Sequence, residues 1–132
     1  MDVRRVAVLA SACLLLLCGC LLESQQTGRL QGAVVSGPTC PAEPDDAPPS
    51  GGCRDQPVTG ADIVERPRGG GADVTASTDQ KGVYEVELPP GEYLVVPQDV
   101  PGLLGTPEPA EVTVVADQTT TAPPLRYDTG VR

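Results

Sequence analysis

The sequence predicts an all-β domain: a seven-stranded antiparallel β-sandwich behind an export leader. Three observations point there. Apolar and polar residues alternate with period two through most of the chain after residue 28. Gly and Pro, 15 of each in 132 residues, break that alternation into short runs. No segment of the domain carries an apolar stripe of helical period over a useful length. Alternation turns one face of a strand toward a core, while Gly and Pro interrupt helices and set turns.

The leader comes first. Arg4 and Arg5 precede an apolar run over 6–17. That run is shorter than the roughly 20 residues a helix needs to cross a bilayer, and it suits the hydrophobic region of a secretory signal. It ends in "LCGC", 17–20, which resembles the lipobox of bacterial lipoproteins. Gly19 would admit a peptidase to the scissile bond. Cys20 would carry the lipid through its thiol, leaving 1–19 as a lipoprotein signal peptide. Cys13 leaves too little apolar run before it, and Cys18 follows bulky Leu17. An ordinary signal peptide cut elsewhere, or a retained anchor, is the competing reading.

Residues 20–29 follow as lipidated cysteine and short polar tether. Nine extended residues span at most about 30 Å, so the domain would sit close to the membrane. The domain itself is expected over 30–132. Its loop 37–57 would be stapled by Cys40 and Cys53, the two cysteines left in the folded part. An exported pair of this kind is expected to form a disulfide. Two thiols without histidine fall short of a zinc site. Glu43, Asp45 and Asp46 lie inside the loop without the spacing of a calcium-binding loop.

The strands are read in order. Residues 29–36 form the first. Residues 60–66 form the second, with Ala61 and Ile63 on one face. Residues 72–78 form the third. In "VYEVEL", 83–88, Tyr84, Val86 and Leu88 face inward while Glu85 and Glu87 face out. Residues 92–96 form the fifth strand, and 110–116 the sixth, with Val112 and Val114 paired on one face. "TTTAPPLRY" supplies the last, with Leu125 and Tyr127 together; Pro123 and Pro124 shorten it or confine it to an edge, because proline cannot donate to a ladder. With Phe and Trp absent, Tyr84 and Tyr93 are expected to dominate the core, leaving Tyr127 free. The acids of the strands are expected on the solvent face.

The stretch 60–95 resembles the carboxypeptidase-regulatory-like domain, a transthyretin-like (prealbumin-like) sandwich related to the collagen-adhesin B-type repeats. The residues that carry the resemblance are Gly60 and Ala61, Thr78 and Asp79 before Gly82 and Tyr84, and "LPPG" before Tyr93. It implies seven strands and no catalysis by the domain itself. It implies that "TDQKG" is a hairpin turn, with Asp79 capping amides and Gly82 at positive φ. Tyr84 and Tyr93 would then meet across one hairpin. The Lys–Asn crosslink of many B-type repeats does not carry over: Asn is absent, and the single lysine, Lys81, lies in that turn.

Composition also bounds function. A net charge of −9 repels nucleic acid and anionic lipid headgroups. Without His there is no Ser-His-Asp triad and no imidazole ligand. The expectation is a non-catalytic, lipid-anchored cell-surface module with a structural or protein-interaction role, requiring no cofactor or metal. It would be exported and held to the membrane through Cys20, on a leaflet the sequence does not choose. The alternative is a surface domain binding a glycan or small molecule. The loop 97–109, with Val100, Leu103 and Leu104, is either a binding loop or a cover for the open end of the core.

Overall fold

The computed structural model describes residues 25–40 and 53–131. Among them are nine strands and no helix: β1 (Gly28–Gly37), β2 (Gln56–Pro57), β3 (Asp62–Pro67), β4 (Val74–Ser77), β5 (Val83–Leu88), β6 (Gly91–Pro97), β7 (Ala110–Val114), β8 (Thr119–Thr121) and β9 (Leu125–Asp128). All seven expected runs form strand, and the count rises for two reasons. The last run is split into β8 and β9 where Pro123 and Pro124 interrupt the ladder. The short β2 adds an edge beside β1. The first strand also begins at Gly28, inside the expected tether.

Two sheets face each other. β1 is the hub of the first. β5 and β2 pair antiparallel with it, while β8 and β9 pair with it in parallel. Leu30, for example, lies between Val86 and Thr120. The sandwich is therefore mixed, which corrects the fully antiparallel expectation. Alternation fixes which face is buried but not the direction of the neighbouring strand. The second sheet is antiparallel throughout, in the order β4-β3-β6-β7.

Two connections read as hairpins are crossovers. "TDQKG" joins β4 in the second sheet to β5 in the first, and "LPPG" joins β5 to β6 in the opposite direction. Tyr84 and Tyr93 are therefore on different sheets and do not meet across a hairpin. The local chemistry of the first turn is as expected. The Asp79 carboxylate accepts from the Lys81 and Val83 amides at 2.8 and 3.0 Å. Gly82 takes φ +71°, and a Cβ there would sit 2.5 Å from the Val34 carbonyl oxygen.

The core lies between the inner faces of the two sheets. Leu30, Val34, Tyr84, Leu88, Leu125 and Tyr127 come from the first, and Ile63, Tyr93, Val95, Val112 and Val114 from the second. Strand parity explains each contribution, since alternate side chains point to opposite faces. Outside, Arg29 bridges Glu85 at 3.3 Å and Glu87 at 3.7 Å, as an exposed face allows. Gly32 makes room for the ring of Tyr84, its partner across the β1–β5 ladder: a Cβ there would collide with that ring.

Candidate functional sites: a buried acid and the two ends of the sandwich

The acids of the strands do not all face solvent. Glu65 has the parity of Ala61 and Ile63, and the inward turn of those two carries it inward as well. It is 0% exposed. In its own sheet it sits between Val74 of β4 and Val95 of β6. Neither of its carboxylate oxygens has a hydrogen-bond partner, and the hydroxyl of Tyr84 lacks one too. Burial pushes the Glu65 carboxyl up to about 7. The Tyr84 phenol is pushed up by its own burial and further by the charge of Glu65. An acid closed to solvent cannot reach an external substrate, so Glu65 is not placed for general acid–base chemistry on one.

The other polar groups of the interior are matched. Thr78 donates to the Val58 carbonyl at 2.5 Å and accepts from the Ala61 amide at 2.9 Å. Tyr93 donates to the Pro89 carbonyl at 2.7 Å. Tyr127, expected to be free, is fully buried and donates to the Gln98 carbonyl at 2.5 Å. It resumes the inward row after the two prolines, beside Leu125.

Strand direction sorts the surface into two ends. At the entry end the chain joins β1 at Gly28, beside the end of β5, with which Gly28 pairs through Leu88. The connection 68–73, the crossover 89–90 and the turn 115–118 lie at this same end. An open groove of about 490 Å³ runs there between Gly69–Gly71, Pro89, Pro90 and Tyr93. Arg68 and Glu111 form an ion pair on its flank.

At the far end, where β1 finishes, Cys40 and Cys53 are joined in a disulfide with Cα atoms 5.3 Å apart. Asp55, just after it, pairs with Arg126 of β9 at 2.7 Å, and this hydrogen-bonded guanidinium holds the Asp55 carboxyl below the usual carboxylate range. The connection 98–109 crosses the same end. Val100 and Leu103 are half-buried and pack against the core, as a cover does. Leu104 differs: its amide is held by the Asp128 carbonyl at 2.8 Å while its side chain is 78% exposed. The three residues named together from the sequence thus divide into two that cover and one that projects.

Cys20 and the acids Glu43, Asp45 and Asp46 lie outside the described residues. Among the described residues no helix is long and apolar enough to cross a membrane, and no three His, Cys, Asp or Glu residues converge as a metal site would require.

No protein-family model matches the chain, and no curated protein matches it in sequence. Solved structures do match its fold. GBS52, the minor pilin of Streptococcus agalactiae, superposes with a TM-score of 0.58 at 16% identity, over 79% of this chain and 45% of that one. The Bacillus anthracis TIE protein gives 0.57 at 17% identity, over 78% of this chain and 16% of that one. The plantain pollen allergen Pla l 1 gives 0.53 at 15% identity, over 80% of this chain and 95% of that one. The chain thus spans less than half of GBS52 and of TIE but nearly all of the allergen. At such identities the likeness is one of fold: an all-β sandwich that occurs both as a module of longer proteins and as nearly a whole chain.

Proposed function

We propose that this chain is a lipid-anchored, non-catalytic surface module of the carboxypeptidase-regulatory-like type, which presents its far end to a protein partner in the cell envelope. The lipobox-like "LCGC" supports the anchor at Cys20. One observation carries the rest: the chain enters β1 at one end of the sandwich, while the disulfide, the 98–109 connection and exposed Leu104 lie at the opposite end. A short tether ending before Gly28 holds the entry end toward the membrane and turns Leu104 away from it. An acidic protein of charge −9 needs a lipid for this, since its charge opposes attachment. A glycan-binding role loses its stacking surface, because Tyr84, Tyr93 and Tyr127 are all buried.

Two experiments test the parts separately. Cys20→Ser releases the protein from membranes and abolishes labelling by an alkyne fatty acid; unchanged retention and labelling overturn the anchor. A photo-crosslinking residue at position 104 of the full chain captures an envelope protein on intact cells, while one at position 70 does not. Capture from 70 alone reverses the proposed orientation.

A further inference from the structure

We propose that the core of the sandwich contains a proton-operated stability switch, in which Glu65 is held as the neutral acid between the sheets and its ionisation loosens the fold. The geometry carries it. Glu65 is sealed from solvent, and both of its oxygens lack partners. Its flanks in the sheet are Val74 and Val95, neither of which can donate. The titratable groups on the inner faces are Tyr84 of β5, Tyr93 of β6 and Tyr127 of β9; the charge of Glu65 acts on the first, and Tyr127 is committed to the Gln98 carbonyl. Tyr93 is committed to the Pro89 carbonyl. Arg66, next along β3, points outward to Asp73 at 3.3 Å. β4 contributes no charged side chain to that face. No cation therefore offsets a Glu65 carboxylate, and a buried carboxylate without a partner is far more costly than the protonated acid.

The sign follows from linkage. The ordinary carboxyl value is 4.5, and burial raises it to about 7 in the folded protein. Between these values the folded chain binds a proton that the unfolded chain has released. The stabilisation is complete below 4.5 and lost as pH rises through 7. The corresponding change in the folding constant is about 300-fold, from the ratio of the two proton affinities. The domain is held tightest in mildly acidic surroundings. Asp55 and Asp79 act in the opposite sense, but below the range used here: their folded values are depressed from 3.8 by Arg126 and by backbone amides, respectively.

The test compares the full chain with its Glu65→Gln variant by urea denaturation from pH 5 to 8. The wild-type midpoint falls as pH rises, that of Glu65→Gln stays nearly level, and the variant is the more stable at pH 8. Parallel profiles overturn the proposal. If the glutamine variant does not fold, the carboxyl carbon of Glu65 is followed by NMR in the wild-type chain. A midpoint near 7 supports the switch, and one near 4.5 overturns it.

Discussion

The two ends of the sandwich are closed by different means. At the far end the chain is tied across itself by covalent, ionic and hydrogen bonds: Cys40 to Cys53, Asp55 to Arg126, and the Tyr127 hydroxyl to the Gln98 carbonyl. At the entry end the described residues form no disulfide: Arg68 pairs with Glu111 and the Tyr93 hydroxyl bonds to the Pro89 carbonyl, but an open groove remains between Gly69–Gly71, Pro89 and Pro90. The difference follows from sequence length. The far end must secure two connections of 12 residues or more, one of which covers the core with Val100 and Leu103, whereas the entry end has only short ones.

The largest effect that would break this contrast is the loss of a ring at the far end. Tyr127→Ala should lower stability by about 3–5 kcal/mol, from lost transfer energy and the cavity left behind. A urea midpoint close to wild type would show that the far end does not depend on its buried ring. Removing the staple comes next. The double change Cys40→Ser and Cys53→Ser opens a loop with a sequence separation of 13, worth roughly 3 kcal/mol by chain entropy. The sandwich should survive it, and circular dichroism with a urea titration measures both outcomes.

A smaller effect sharpens the contrast between matched and unmatched hydroxyls. Tyr127→Phe strands the Gln98 carbonyl and should cost about 1 kcal/mol. Tyr84→Phe removes a hydroxyl that has no partner and should be neutral or stabilising. Equal losses for the two would mean that the Tyr84 hydroxyl finds a partner in solution. The smallest effect is Asp55→Asn. Because the Asp55 carboxyl is held low, its contribution is present above 3.8 and lost as pH falls through the depressed value. The variant should differ from wild type slightly at neutral pH and not at all in strong acid. Paired denaturation curves at pH 7 and along a series of falling pH below 3.8 check this.

Much of this architecture is legible from period two alone. The inward rows Tyr84 and Leu88, Val112 and Val114, and Leu125 and Tyr127 can be read directly from alternation. So can the stapled loop, from two cysteines around an apolar-poor stretch. Which sheet a strand joins is not legible. "TDQKG" has the chemistry of a tight turn, and the same Asp79 and Gly82 serve a crossover equally well. That Tyr127 is a core ring and not a free one is not legible from its place near the chain end; the two prolines before it interrupt the ladder without ending the inward row. Glu65 departs from the solvent-facing expectation because register outweighs charge. Its parity with Ala61 and Ile63 was the available signal, and the packing of a whole strand overrides the preference of one side chain.

The place of β1 has a mechanical consequence. A pull on the chain ahead of Gly28 enters β1 at one end of the molecule. A pull on the chain beyond β9 leaves at the other. These strands are parallel neighbours, with Val34 opposite Leu125 and Gly37 opposite Asp128. Tension between the two points slides one strand along the other, so the bonds of the ladder share the load together instead of opening one after another. The sandwich is strung in shear along its length.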